Sequence, residues 1–410
     1  MKRYLVGGAV RDRLLGLPTK DRDWVVTGST PEALLQAGYQ QVGKDFPVFL
    51  HPVTKEEHAL ARTERKSGKG YAGFVCDFHP GISLEEDLGR RDLTINAIAE
   101  DENGQLIDPF GGAKDLEQGI LRHVSPAFAE DPLRILRVAR FYSRLQPLGF
   151  KVAPETLSLL KNMVSQGELK ALTAERVWQE IDRSLNEAAP QRFFELLREI
   201  NALATILPEL DALFEVPHSL ESNGESTVGL HTLSALHEAS KLSTSGEVRF
   251  ATLCHDFGKA DTLNTHTISG QENQTQGLEF IQNLSKRLRI PKKHTELASL
   301  TSLWHAHVHQ VFKLNALDIL NLIEKADALR RPERFNDFLI ACEAVARANL
   351  KLINNSYRQR RYLNQVLEQL QTLDVRALIQ DCENPKEIAA TLHQARLNTI
   401  KKVSQSFKTS

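Results

Sequence analysis

Leu5-Val6-Gly7-Gly8-Ala9-Val10-Arg11-Asp12, followed by Asp21-Arg22-Asp23-Trp24-Val25-Val26, decides how this chain folds. A short apolar run ends in paired glycines and passes into a helical pattern, with Val10, Leu14 and Leu15 at helical spacing. Thirteen residues after Gly8 comes the first of two aspartates separated by one residue, leading into a second apolar run. If Asp21–Val26 is a strand, side chains two apart share a face, so both carboxylates project together. Such a pair suits hard, oxygen-liganded Mg²⁺ that bridges to phosphates. The glycines let the backbone approach a triphosphate, and the following helix turns its free N–H groups towards it. Two metal ions held this way activate an attacking hydroxyl and stabilise a leaving pyrophosphate. Each half is unspecific alone, because a Gly-Gly pair is usually a turn and Asp-x-Asp a solvated strand end.

The 410 residues are enough for two or three domains, each with its own core. Apolar content of 41% and charged content of 25% are those of an ordinary globular chain. No apolar run reaches membrane-spanning length, and the first residues enter a motif directly, so neither a membrane span nor a signal peptide is expected. Cys76, Cys254, Cys342 and Cys382 lack C-x-x-C spacing, which points away from a zinc ribbon or disulfide framework and towards the cytoplasm. A net charge of −1 argues against a non-specific basic coat. Local basic clusters nevertheless stand at Arg62–Lys69, Arg134–Arg144 and Lys286–Lys293.

Residues 1–125 read as mixed α/β, with strands at Arg3–Val6, Asp23–Thr27, Val48–Leu50, His58–Ala61 and Leu106–Ile107. Beyond Pro132 the pattern is helical almost throughout, with Val216–Gly229 as the linker candidate. The expected class is α+β: a head over 1–125, a helical neck and body over 126–220, a further helical domain over 226–345 and a helical tail over 346–410.

Arg90-Arg91-Asp92-Leu93-Thr94-Ile95-Asn96-Ala97 offers Arg91 to a phosphate or sugar, Asp92 to orient it and Asn96 to a ribose. Gly111-Gly112-x-x-Asp115-Leu116 reads as a turn into a supporting helix. In Glu130-Asp131-Pro132-Leu133-Arg134-x-x-Arg137-x-x-Arg140, Pro132 suits a first helical position and Asp131 its N-cap. Asp131 and Arg134, three apart, can meet on the helix surface. They can also present an acceptor and a donor to a nucleobase edge, with Arg137 and Arg140 holding phosphates.

These motifs, with Ala174-Glu175-Arg176, stand in the order seen in the class II tRNA nucleotidyltransferases. The Gly7-Gly8 and Asp21-x-Asp23 pairing is the signature of their polymerase-β-like head. The chain closely resembles the long gammaproteobacterial CCA-adding enzymes with a C-terminal HD domain. That resemblance implies addition of C, C and A to the 3′ acceptor end of tRNA from CTP and ATP without a nucleic-acid template. It assigns Asp21 and Asp23 to Mg²⁺ and catalysis. Gly8, Arg11, Arg91, Asp92, Asn96, Arg137 and Arg140 would bind the nucleotide, and Glu130, Asp131 and Arg134 would read the base. The loop Arg62–Phe74 resembles the family's flexible element for the switch from C to A, and a monomer or homodimer is implied. A poly(A) polymerase or a CC-adding enzyme shares the fold and is the alternative within it.

Residues 226–345 resemble an HD phosphohydrolase domain. His231, His255 and Asp256 are placed as its metal ligands, with a transition metal such as Ni²⁺ implied, and phosphatase, 2′-nucleotidase and 2′,3′-cyclic phosphodiesterase activities. Two departures weigh against that activity. Glu343-Ala344-Val345 stands where relatives have Glu-Ala-Asp, and the following histidine-rich segment is thinned to His266. His305, His307 and His309 read as surface histidines first, and as compensating ligands second, since His305 and His309 share a helical face. An HD phosphohydrolase acting on RNA ends is the alternative from another class.

Overall fold

Lys2–Val6 (β1) and Asp23–Thr27 (β2) pair antiparallel with Val6 opposite Asp23, joined by the helix Gly8–Leu14 (α1). On its other side β2 runs parallel to Glu57–Leu60 (β5), with Asp23 opposite Glu57. A central strand has both faces covered, so it needs consecutive apolar residues rather than alternating ones. Val25 packs with Val6, Ala61, Leu88, Ala97 and Ala99, while Val26 packs on the other face with Leu34, Tyr39, Phe49 and Leu60. The helix Pro31–Gln36 (α2) and the strands Gln40–Val42 (β3) and Val48–Leu50 (β4) lie between β2 and β5 in sequence. With Ala99–Glu100 and Leu106–Ile107 they complete a seven-stranded sheet. The computed structural model describes residues 1–19, 22–42, 48–66, 74–218, 227–261, 270–349 and 357–408. Asp21, the tip of the Arg62–Phe74 loop and His266 therefore lie outside the described residues.

Thr63–Lys66 (β6) and Phe74–Asp77 (β7) form a separate antiparallel ribbon, the two arms of that loop. Leu84–Gly89 (α3) follows, opened by a capping box between Ser83 and Glu86. Ala99–Glu100 is β8 and Leu106–Ile107 is β9, which gives the sheet order β3-β4-β5-β2-β1-β8-β9. Gly112–Gln118 (α4) packs so closely on the 3-10 turn Thr94–Asn96 that a Cβ at Gly112 would lie 2.1 Å from the Thr94 carbonyl oxygen. Ile120–Leu121 (β10) pairs parallel with Lys151–Val152 (β11). Helices Leu133–Leu145 (α5), Pro154–Ser165 (α6), Ala174–Leu185 (α7), Gln191–Glu199 (α8) and Leu203–Ile206 (α9) finish the first of two compact units, Met1–Ile206.

The second unit, Leu207–Ser410, is helical among its described residues. It runs through Pro208–Asp211 (α10), Val228–Leu242 (α11), Gly246–Cys254 (α12), Gly270–Leu288 (α13), Lys292–His309 (α14) and Ala316–Lys325 (α15). Pro332–Arg347 (α16), Arg358–Gln371 (α17), Val375–Ile379 (α18) and Pro385–Lys408 (α19) follow. The expected linker Val216–Gly229 ends inside α11: Thr227 caps that helix, and a Cβ at Gly229 would lie 2.6 Å from the Phe214 ring. No described helix is long and apolar enough to cross a membrane.

Candidate active site

A cavity of about 780 Å³ opens between the sheet end that carries Asp23 and the helices α5 and α7. The sheet side contributes Gly7, Gly8, Arg11 and Asp23, and the segment after α3 contributes Arg90, Arg91, Asp92 and Asn96. Asp131, Arg134, Arg137 and Arg140 come from the start and one face of α5. Among the described residues, ten arginines line it against three aspartates. Such an excess of fixed positive charge selects a polyanion, and the guanidinium fork suits phosphate oxygens.

Buried carboxylates aim these arginines. Asp92 accepts from Arg137 Nε at 2.8 Å, from Asn96 Nδ2 at 2.9 Å and from the Leu93 amide at 2.8 Å. Burial opposes its ionisation, but Arg137 and these hydrogen bonds outweigh that and hold its carboxyl well below the usual range. Asn96 Oδ1 in turn accepts from Arg11 Nη1 at 2.6 Å, so the Asn96 amide links Arg11 to Asp92. Asp12 pairs with Arg11 at 2.7 Å and with Arg144 at 2.8 Å. Glu180 on α7 accepts from Arg140 Nε at 2.7 Å. The ring of Phe141 lies 5.2, 5.8 and 4.6 Å from the guanidinium carbons of Arg11, Arg137 and Arg140, a shared cation–π platform.

Gly8, Arg11, Arg91, Asp92, Asn96, Arg137, Arg140, Asp131 and Arg134 are thus gathered at one cavity with Asp23. Glu130 is not among the lining residues; it closes the 3-10 turn Pro126–Glu130. Asp131 and Arg134 do not pair with each other as their spacing allowed. The extended backbone at Asp131 turns its carboxylate to the Leu133 amide at 3.0 Å and to Arg176 on α7 at 3.0 Å. The Arg134 side chain runs back towards the helix start and donates to the carbonyls of Ala127 and Arg90. Gly7 rather than Gly8 is the constrained glycine: its φ is +68°, and a Cβ there would stand 2.8 Å from Arg91 Nη1.

The motifs did not single out Arg144, Phe141 or Arg183 as site residues, nor give Arg176 a role. The signal lies in helical spacing. Arg137, Arg140 and Arg144 recur at i, i+3 and i+7 on α5, and Arg176 and Arg183 stand seven apart on α7.

In the second unit, His231, His255 and Asp256 do come together. The His231 and His255 rings are 5.6 Å apart, and His255 Nε2 lies 3.2 Å from Asp256 Oδ2. His305 corrects its surface reading: α14 turns its Nε2 to within 3.8 Å of Asp256 Oδ1. Burial pushes His231 down to about 3 and His305 to about 4, so both rings are neutral near pH 7. Yet among the described residues no three His, Cys, Asp or Glu side chains form a group able to hold a metal ion. Lys259 Nζ occupies Asp256 Oδ2 at 2.8 Å, position 345 is a buried valine, and Glu343 is turned to Arg347 and Arg360. The donor set does not fit the implied transition metal.

Residues 3–122 match the family described as Poly A polymerase head domain, and residues 149–214 match the one described as Probable RNA and SrmB-binding site of polymerase A. A Multifunctional CCA protein of Hahella chejuensis (strain KCTC 2396) is 53% identical over 405 residues, covering 99% of this chain and 96% of that one. One from Legionella pneumophila (strain Paris) is 50% identical over 408 residues, covering 100% and 99%. Among solved structures, a CCA-adding enzyme in complex with ATP superposes with a TM-score of 0.64 at 19% identity, over 97% of this chain and 86% of that one. The CTP complex of the Bacillus stearothermophilus CCA-adding enzyme gives 0.59 at 23% identity, over 98% and 89%. At these identities the structural likeness bears on the fold alone. Fold and cavity together define a nucleotidyltransferase head followed by helical segments. At about half identity along nearly its whole length, the chain belongs to the multifunctional CCA protein family.

Proposed function

We propose that this protein adds CCA to the 3′ end of tRNA from CTP and ATP, without a template, by nucleotidyl transfer in the head cavity. The observation that carries this reading is the meeting of Asp23 with ten arginines in one cavity. A carboxylate at the sheet end beside so many guanidinium groups suits a triphosphate whose charge is shared between a metal and arginine. Relatives named Multifunctional CCA protein, alike over nearly the full chain, favour CCA addition over a poly(A) tail.

Asp23, with Asp21, would hold Mg²⁺, and the donor set fits: hard oxygens beside a cationic cavity. When bound, the ion lowers the pKa of the attacking hydroxyl and neutralises charge on the phosphates. The chain's own residues do the rest. Arg137, Arg140 and Arg11, fixed by Asp92, Glu180 and Asp12, hold the triphosphate so that the tRNA 3′ hydroxyl faces the α-phosphorus. A phosphodiester forms as the α–β anhydride breaks, and the arginines take up the charge of the departing pyrophosphate. Asp131 and Arg134, at the start of α5, offer a carboxylate and a guanidinium edge to the base, in place of a template strand.

The proposed function does not extend to phosphohydrolysis in the second unit, where Val345 replaces the closing carboxylate and Lys259 holds Asp256. Replacing Asp23 by Ala tests the reading directly. Incorporation of CMP into tRNA should fall ~10³-fold or more while tRNA binding stays within about twofold of wild type. Incorporation near the wild-type rate would remove Asp23 from the reaction.

A further inference from the structure

Asp87, on the short helix α3, is 0% exposed, yet it carries a carboxylate. A buried charge is costly unless paired, and an apolar residue would fill the same space. Its two oxygens accept four hydrogen bonds. Oδ1 takes Arg90 Nη2 at 2.7 Å, Arg90 Nε at 3.1 Å and the Arg62 amide at 3.3 Å, and Oδ2 takes Arg91 Nη2 at 3.2 Å. Arg90 Nε also donates to the Arg62 carbonyl at 3.1 Å. Both main-chain groups of Arg62, where the β6–β7 ribbon begins, are therefore held by the Asp87–Arg90 pair.

Arg91 is confined on every side. Asp87 holds one terminal nitrogen, the Asn96 carbonyl takes the other at 3.4 Å, and only the missing side chain of Gly7 leaves room for it. Its Nε is buried with no hydrogen-bond partner in the protein, a donor that a phosphate oxygen can satisfy. Arg62, Arg90 and Arg91 all line the cavity; Asp87 does not.

We propose that Asp87 is a positioning residue for nucleotide binding: it aims Arg90 and Arg91 at the triphosphate and fixes the root of the ribbon at Arg62. This rests on the nucleotidyl-transfer reading above. Because the arginines grip the triphosphate rather than the base, the effect falls equally on CTP and ATP.

Asp87→Asn keeps the shape and removes the charge. Three quantities are read: kcat and KM for each nucleotide, KM for tRNA, and the Kd of CTP by equilibrium dialysis without tRNA. The expected result is a rise of ~10-fold in nucleotide KM and Kd, alike for CTP and ATP, with kcat and the KM for tRNA within about threefold of wild type. Nucleotide KM and Kd within about twofold of wild type overturn the proposal, as does an equal loss in every parameter, the mark of a purely structural role. Should Asp87→Asn not fold, Asp87→Glu, which keeps the charge but shifts it by a methylene, is read by the same quantities and criteria. Wild-type protein that binds CTP yet adds nothing to tRNA would instead defeat the nucleotidyl-transfer reading, so the two failures are distinguishable.

Discussion

Gly112 and Gly16 show how differently two glycines of one head are constrained. A Cβ at Gly112 would meet the Thr94 carbonyl oxygen at 2.1 Å, whereas at Gly16 nothing lies within 4 Å and only the positive φ of +68° resists a side chain. Gly112→Ala should cost about 1–3 kcal/mol or more through overpacking, and Gly16→Ala about 1 kcal/mol, both read from denaturant midpoints. Equal losses would contradict the packing of α4 on Thr94–Asn96. His58, buried and stacked on Trp24, gives a pH signature. Burial holds its folded pKa below the ordinary value, so the unfolded chain takes up the proton first. Its contribution is complete above about pH 6.5 and is lost as pH falls below it, at up to about 1.4 kcal/mol per pH unit. Wild type should therefore lose more stability between pH 7.5 and 5.5 than His58→Gln; equal losses would contradict a neutral buried ring. At this scale the sequence marked Arg11, Asp92 and Arg137, because motif and charge coincide there. It could not mark Asp87 or Glu180, because a buried partner carboxylate reads like any acidic residue of a surface helix.

Helix α5 turns its start and one face, with Asp131, Arg134, Arg137 and Arg140, to the cavity. Its opposite side, with Ile135, Leu136 and Ala139, is fully buried. Proline at its start and apolar periodicity made it readable: a helix was expected from Pro132, and Leu133–Leu145 is found. What periodicity could not give is the pairing of Asp131 with Arg176, a contact 45 residues apart set by where α7 lies. Asp131→Ala removes an acceptor at the cavity and the ion pair to Arg176. The ratio of kcat/KM for CTP over UTP should fall ~10-fold, more than kcat itself falls, in single-nucleotide incorporation. An unchanged ratio with a collapsed rate would give Asp131 a structural or catalytic role instead. Among strands, β2 was legible from Trp24-Val25-Val26. β3 and β6 were not, since Gln40-Gln41-Val42 and Thr63-Glu64-Arg65-Lys66 are polar runs that become strands only through their neighbours. The closing helix α19 was expected only as part of a helical tail over 346–410, without bounds of its own, because its buried Ile400, Val403 and Phe407 are sparse among polar residues.

The chain divides into two compact units. Their division falls between Ile206 and Leu207, inside the 126–220 stretch that composition reads as one segment. Composition marks the polar stretch after Val216, but Phe214 already packs against Gly229 of α11, so the residues before that stretch belong with the second unit. The cluster of His231, His255 and Asp256 forms no group able to hold a metal ion among the described residues. With Ni²⁺ and 2′,3′-cyclic AMP, product release should therefore stay at the level of a metal-only control; turnover there would show a second active centre. The central claim rests on the head, and one measurement bears on it most directly. A tRNA ending at the discriminator base is incubated with the protein, Mg²⁺, CTP and ATP, and the product is sequenced. Three added residues reading C, C, A are expected. Two Cs alone, a long A tail or an unextended tRNA would contradict the account.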